Sequence, residues 1–370
     1  MSTPQASHDR VVLTGISSRA WEHPADRSAL VALRGVRGFD QVLRWMSGLL
    51  RERSHRLLAL ASSVQVSERQ FAGVNEIFLD AVRTLDAVTP PELFVTQQPL
   101  HNAISIGMDR PFVMVTTGML DLLDDDELRF VLGHELGHVL SGHSTYRTML
   151  TYLLNVSKRA AVLPVGLLGV RALIAALEEW YRKSELSGDR AGLLAGQDAQ
   201  AALRAHMKSA GGARLDQMDA EAFLDQAREY DRSGDVRDGV LKLLNLEGHS
   251  HPFAAVRALE LSRWVDSGDY ARILGGDYPR RVDDPSVSIT DELRSAARSY
   301  RDGVTQSADP FLRLVRSVGE EASGIGARVM SRLRTDEAPG PAGEEVVDAE
   351  PVDTEPVDTE PLDAEPLDED

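Results

Sequence analysis

Five residues near the middle of the chain form a pattern that can do chemistry: His134-Glu135-Leu136-Gly137-His138. Two histidines four positions apart lie on one face of an α-helix, so their imidazoles can bind one tetrahedral zinc ion. The glutamate between them can take a proton from a water molecule on the open side of the metal. Because so short a pattern also arises by chance, the surrounding sequence decides its meaning. The alternative is a core helix whose two histidines form ordinary hydrogen bonds.

The residues around this pattern predict an amphipathic helix. Asp124, with Glu127 three positions later, is typical of a helix start, and apolar residues then recur at helical spacing. Gly142 is a suitable helix stop. Gly133 and Gly137 lie inside the helix, where each costs about 1 kcal/mol relative to alanine. We therefore expect another backbone to pass close to this helix.

A zinc peptidase needs a third protein ligand, and the spacing excludes one common source. The metzincin pattern requires glycine and histidine at positions where this chain has Ser141 and Ser144. His143 falls on the far side of a continuous helix from His134, so we interpret it as a structural histidine or as one that supports a ligand. The remaining common solution is a glutamate on a second helix, the gluzincin arrangement.

The segment 178–190 supplies candidates for that glutamate. Glu185 and Asp189 are four positions apart on one helical face, and an aspartate there can accept a hydrogen bond from a metal-binding histidine. Glu178, one heptad earlier on a similar face, is a weaker candidate. Spacing alone leaves two alternatives open: a solvated helix face for Glu185 and a surface ion pair for Asp189.

The region 112–138 resembles the HtpX-like and CAAX-prenyl-protease family of zinc peptidases. It has the family's order of a strand ending in Thr-Gly, a leucine-rich acidic turn and the metal-binding helix. The segment 185–189 is similar to the family's Glu-x-x-Ala-Asp element, with Gly188 in place of alanine. Three further segments are similar to family segments: Ser250-His251-Pro252, Arg257 and Asn102-Ala103. The resemblance extends over residues 90–278, about half the chain.

This resemblance implies a gluzincin site with one zinc ion per chain. It implies Glu185 as the third ligand, beside His134 and His138, and Asp189 as the residue that orients a ligand. Glu135 would be the general base. We therefore interpret the chain as a zinc-dependent endopeptidase that hydrolyses proteins, above all unfolded or damaged ones. The alternative is a non-catalytic, chaperone-like protein that keeps the zinc fold and binds unfolded chains or a partner.

Short strands beside the metal site are predicted at 91–97, 101–107 and 112–117. In zincins an extended substrate adds to a sheet edge through backbone hydrogen bonds. Asn102, Ala103 and Ile104 are the candidate edge, and the alternative is an ordinary interior strand.

Hydrolysis also needs a donor that faces the developing oxyanion, since losing one typically costs about 10²–10³ in rate. His251 and Arg257 are the candidates. The alternative is that His251-Pro252 starts a helix and that Arg257 pairs with a buried carboxylate.

Composition limits the setting of this chemistry. The chain has 370 residues, 42% of them hydrophobic, which is enough for a substantial core. It contains no cysteine, which excludes disulfides, a thiol nucleophile and cysteine-bound zinc. The first ten residues lack the basic and then apolar order of a signal peptide, so a cytoplasmic location is expected. No pattern predicts an oligomeric state.

The net charge of −18 comes mainly from one end of the chain. Of the 58 acidic residues, fifteen lie in 336–370, which leaves 43 against 40 basic residues in the rest. A nearly neutral body gives no electrostatic case for nucleic acid binding. The tail repeats a five-residue unit ending in Glu-Pro, and proline with dense like charge predicts disorder.

We expect a predominantly helical α+β fold: a zincin-like core with a small β-sheet beside the metal-binding helix. Four regions are predicted: an N-terminal helical region 1–88, the zinc metallopeptidase core 89–283, an amphipathic helical extension 284–335 and the disordered acidic tail 336–370. The apolar segment 160–177 raises the alternative of membrane association. Arg171 interrupts it, and a central arginine costs roughly 2.5–3.5 kcal/mol. A single span would also separate the zinc ligands. A helical cover or a re-entrant hairpin is therefore favoured, with peripheral membrane contact through 160–177 as the alternative.

Overall fold

The computed structural model of the chain describes residues 10–34, 52–108, 110–159, 167–232 and 253–286, and elements are numbered here in their order within those ranges. The strands are β1 (Val64–Gln65), β2 (Glu92–Thr96), β3 (Ala103–Ile106) and β4 (Phe112–Thr116). The helices are α1 (Pro24–Arg34), α2 (Glu52–Ser62), α3 (Ala72–Thr84), α4 (Thr117–Leu122), α5 (Asp125–Leu140), α6 (His143–Arg159), α7 (Leu167–Gly196), α8 (Ala199–Gly211), α9 (Ala220–Arg232), α10 (Ala254–Asp266) and α11 (Asp269–Leu274). Short 3₁₀ helices span Ser18–Ala20, Leu215–Gln217 and Arg281–Ser286.

The four described strands form one mixed sheet in the order β1-β2-β4-β3. β2 and β4 are parallel, whereas β1 pairs with β2 and β3 with β4 in antiparallel fashion. All three predicted strands are confirmed. β1 was not predicted, because two residues are too few for an alternating pattern. β3 lies at the edge of this sheet, as the sequence predicted.

The two faces of the sheet pack against different helices, because side chains along a strand alternate between faces. Val95 and Val115 face the main hydrophobic core, which α3, α5 and α7 also enter. Phe94 and Phe112 point to the opposite face and pack with Ala59 of α2. The sheet is therefore covered on both sides, which confirms the predicted α+β class with a predominantly helical body.

The N-terminal region packs into the same core as the central part of the chain. Leu13, Ile16 and Trp21 are all buried there, and the backbone N–H of Leu13 donates to the carbonyl of Thr84 at 2.9 Å. α1 then packs against α7. The boundary at residue 88 stays a prediction, and so do the extension 284–335 and the tail 336–370, which lie outside the described residues after position 286.

The apolar segment 160–177 lies partly outside the described residues, and α7 begins within it at Leu167. Among the described helices, none combines the length and apolar character needed to cross a membrane. The cytoplasmic location and the peripheral membrane contact stay predictions.

Candidate metal centre

The sequence sets the start of α5 through reciprocal hydrogen bonds. The carboxylate of Asp124 accepts from the backbone N–H of Glu127 at 2.9 Å, and Glu127 accepts from the backbone N–H of Asp124 at 3.0 Å. This is the predicted capping arrangement. Arg204 and Lys208 of α8 also contact the buried Glu127 carboxylate, at 3.0 and 2.6 Å. α5 is thereby tied to a neighbouring helix before it reaches the metal-binding pattern.

Glycines in α5 allow α7 to approach closely, as the sequence predicted. A Cβ atom added to Gly133 would lie 2.4 Å from the Cβ of Ala195, and one added to Gly137 would lie 2.3 Å from the Cβ of Ala191. Any larger residue would push the helices apart. This contact brings Glu185 of α7 opposite the two histidines.

His134, His138 and Glu185 converge on one buried point. The Nε2 atoms of the two histidines are 3.0 Å apart, and the carboxylate oxygens of Glu185 lie 3.5 Å from His134 Nε2 and 3.3 Å from His138 Nε2. All three potential ligand atoms lie within 4.8 Å of one another. The Nδ1 atoms of both rings have other partners, so both Nε2 atoms face this point. Two imidazole nitrogens and a carboxylate form a donor set that suits a divalent metal ion.

The metal-free rings differ in proton affinity. Burial lowers the pKa of both histidines, but hydrogen bonds to Asp189 and Glu185 outweigh burial at His134 and raise its pKa to about 9. At His138 burial prevails and lowers the pKa to about 4. The pocket therefore favours one positive charge beside Glu185, a charge that a metal cation would replace.

Asp189 and Arg257 surround the outer side of His134. Asp189 Oδ1 lies 3.1 Å from His134 Nδ1, the contact expected from the four-residue spacing to Glu185. Arg257 Nε donates to Asp189 at 2.8 Å, and its Nη1 lies 3.1 Å from Glu185. Burial opposes ionisation of Asp189, but the charges of Arg257 and His206 and the hydrogen bonds from Arg257 and His134 together hold the pKa of Asp189 well below its ordinary value.

This geometry favours one of the two arrangements considered for Arg257. The guanidinium pairs with buried carboxylates, which is the alternative to an oxyanion donor. Its role as a donor stays a prediction. His251, the other candidate donor, lies outside the described residues. Glu178, the weaker rival to Glu185, is not part of the convergent group.

Gly188, which replaces the alanine of the resembled family, lies against the His134 ring. A Cβ atom there would be 2.6 Å from Cε1 and 2.7 Å from Nδ1 of His134. The departure therefore has a structural consequence, because glycine lets the ring lie directly on the backbone of α7.

Glu135 faces a charged partner that the sequence did not predict. Arg147 of α6 is buried, its Nη1 lies 3.3 Å from Glu135 Oε2, and its guanidinium lies 4.8 Å from the ring centre of Tyr181. Burial raises the pKa of Glu135, but the charge of Arg147 together with those of His134 and His138 lowers it. No spacing rule signals this contact, because it depends on the chain turning at Gly142, where φ is +70°.

The edge strand borders a cleft of about 600 Å³ next to the candidate ligands. Asn102 and Ala103 line it together with His134 and Glu135, whereas Ile104 is not among the lining residues. The backbone N–H of Asn102 donates to the Thr116 hydroxyl at 3.0 Å, and the Asn102 carbonyl accepts from the backbone N–H of Thr116 at 3.0 Å. Because these groups alternate in direction along an antiparallel strand, those of Ala103 point away from β4.

Comparisons with known proteins agree with this geometry. Residues 68–265 match the model of peptidase family M48. The chain is 32% identical over 260 residues to plastoglobule-localized metallopeptidase 48 of Arabidopsis thaliana, a match that covers 69% of this chain and 74% of the relative. It is 30% identical over 138 residues to protease HtpX of Xanthomonas axonopodis pv. citri, covering 36% of this chain and 46% of the relative. No solved structure gives a significant match. The chain belongs to peptidase family M48.

Proposed function

We propose that the protein is a zinc-dependent endopeptidase with His134, His138 and Glu185 as the ligands of one zinc ion per chain. The observation that carries this proposal is the buried convergence of the three side chains beside Glu135. A zinc ion held there would polarise a peptide carbonyl and acidify a water molecule. The chain belongs to a peptidase family, which supports the same reading.

Glu135 is the proposed general base and acid. It takes the proton from the attacking water and returns it to the leaving amine, a role that contributes about 10²–10⁴ in rate. Its Oε1 lies 4.0 Å from His134 Nε2, so the carboxylate borders the ligand cluster. Arg147, on the other oxygen, favours the ionised form that can accept a proton.

The edge of β3 is the proposed binding site for the substrate backbone, at Asn102, Ala103 and Ile104. Ala103 lines the cleft and turns its backbone groups outward, so it can pair with an extended peptide. Ile104 would contribute by keeping Ala103 in an extended strand, since the backbone groups of Ile104 itself point toward β4. Backbone pairing requires an extended chain, which favours unfolded or damaged proteins as substrates.

His251 is the proposed oxyanion donor. Arg257 is the other candidate for this role, but its contacts support a different one: it pairs with the proposed ligand Glu185 and with Asp189, which contacts His134. It would then act through the metal site, although it also lines the cleft beside His134 and Glu135.

The test is zinc analysis together with digestion of an unfolded protein such as casein, on wild type and Glu135→Gln. We expect about one zinc per chain in both, and cleavage reduced at least about 10²-fold in the variant. Glu76→Gln, on the exposed side of α3, is the matched control and keeps full activity. Equal cleavage by Glu135→Gln would refute the mechanism, and zinc binding with no hydrolysis by wild type would favour the non-catalytic alternative.

A further inference from the structure

The side of His138 that faces away from the proposed metal contacts a second histidine. Nδ1 of His138 lies 3.0 Å from Nδ1 of His143, at the start of α6. Nε2 of His143 in turn lies 3.2 Å from Oδ2 of Asp26 in α1. None of the three residues is more than 3% exposed. A continuous buried line of polar contacts therefore runs from the candidate ligand to the N-terminal region.

The chemistry of the groups sets the direction of hydrogen bonding along this line. A nitrogen that binds a metal carries no proton, so a neutral His138 that ligates through Nε2 has its proton on Nδ1. His138 then donates to Nδ1 of His143, which carries its own proton on Nε2 and donates to Asp26. An ionised carboxylate only accepts, so Asp26 determines which nitrogen of each ring is protonated.

Asp26 is held in place by the helix that carries Glu185. The hydroxyl of Ser187, two positions after Glu185, donates to Oδ2 of Asp26 at 2.6 Å. The backbone N–H of His23 donates to the same hydroxyl at 2.8 Å, which ties the start of α1 to α7. A displacement of α1 would therefore move the carboxylate that ends the line.

We propose that Asp26 is a positioning residue of the metal centre, which orients His138 through His143. This inference rests on the proposed zinc site. Asp26 precedes residues 68–265, the part of the chain that matches the family model, so it lies outside the matched peptidase region. Carboxylates that orient metal-binding histidines commonly contribute about 10- to 100-fold to metal affinity. Here the carboxylate of Asp26 does not contact the proposed ligand directly, because the imidazole of His143 lies between them.

The proposal is tested by the zinc affinity of the full chain, measured by competition with a chromophoric chelator. Asp26→Ala should weaken binding about 10- to 100-fold. Asp26→Asn should lose only about two- to tenfold, because its amide oxygen can still accept the two hydrogen bonds without the charge. Asp26→Asn also keeps the shape of the side chain, so its zinc affinity still tests the proposal if Asp26→Ala does not fold. Ser28→Ala is the control, since that hydroxyl bonds only to the Pro24 carbonyl within α1 among the contacts described.

A double-mutant cycle separates relayed orientation from general packing. In a His143→Ala background, Asp26→Ala should change zinc affinity by less than about twofold, because the intermediate imidazole is gone. An equal loss in both backgrounds would overturn the relay, as would an Asp26→Ala variant that binds zinc as tightly as wild type. A wild-type chain that binds no zinc would overturn the proposed function and the relay together, so the two failures are distinguishable.

Discussion

The two histidine ligands of the proposed metal centre are anchored in different ways. His134 contacts the carboxylate of Asp189 directly, and Asp189 lies one helical turn after Glu185 in α7. His138 reaches the carboxylate of Asp26 only through His143. One anchor is local to the peptidase motif, whereas the other comes from the N-terminal region. The peptidase motif therefore contains the carboxylate partner of one histidine, whereas the carboxylate on the side of the other histidine comes from a distant segment of the chain.

The charges around the two anchors also differ. Asp189 pairs with the partly buried Arg257, whose Nη2 lies 3.3 Å from His134 Nδ1. Asp26 accepts from a serine hydroxyl and an imidazole. Removing Asp189 would leave a cation beside a proposed metal ligand, whereas removing Asp26 would leave a hydroxyl and an imidazole. The two sites are therefore expected to respond unequally to the same substitution.

The largest effect is expected for Asp189→Ala, which should weaken zinc affinity about 100-fold, the upper end for residues that orient a ligand. Loss of the direct contact with His134 and the charge of Arg257, which would then lack its partner Asp189, act together. Chelator competition measures the change, with Asp225→Ala on the solvent-facing side of α9 as the control. A larger loss of zinc affinity in Asp26→Ala than in Asp189→Ala would contradict the stronger role assigned to the direct contact.

Arg147→Ala tests a residue whose described side-chain contacts are with Glu135 and Tyr181 and include neither histidine. It should lower kcat about tenfold or more, because the proposed base loses the partner that fixes its position, while zinc affinity stays unchanged. Arg147→Lys should recover part of the rate, since it keeps the charge but not the planar guanidinium. Steady-state kinetics on an unfolded substrate, alongside zinc titration, separates the two effects. Equal losses in zinc affinity and kcat would assign Arg147 to the ligands instead.

A smaller effect is expected for Gly188→Ala, which acts only on the His134 side. The added methyl group would meet the His134 ring at 2.6 Å, and overpacking of this kind costs about 1–3 kcal/mol. At the lower end of that range, zinc affinity falls about fivefold. Gly73→Ala, with nothing within 4 Å of the added atom, is the matched control and leaves affinity unchanged. Unchanged affinity in Gly188→Ala would show that the ring has room to move.

The sequence predicted those parts of the site whose signals are local. Asp124 and Glu127 mark the start of α5 within four positions, and Gly133 and Gly137 signal the close approach of another helix. The edge position of β3 follows from a short strand close to the motif. Glu185 required the family resemblance as well, because spacing alone left its role open.

The remaining contacts depend on how distant helices pack. Asp26 lies more than a hundred positions before His143, and no periodicity links the two. Arg147 reaches Glu135 because the chain turns at Gly142 before α6 begins, and the residue types mark that turn without setting its direction. Arg257 pairs with two carboxylates of α7. Whether its guanidinium contacts these carboxylates or a substrate is therefore decided by tertiary structure, which the sequence pattern does not give.

The most direct test of the central claim is zinc K-edge X-ray absorption of the purified protein, with zinc stoichiometry measured on the same sample. We expect one zinc per chain with two imidazole ligands and oxygen ligands for the rest. Glu185→Ala should keep the imidazole signal in any zinc that remains bound but lower the occupancy. One imidazole, three imidazoles, or occupancy independent of Glu185 would contradict the proposed ligand set.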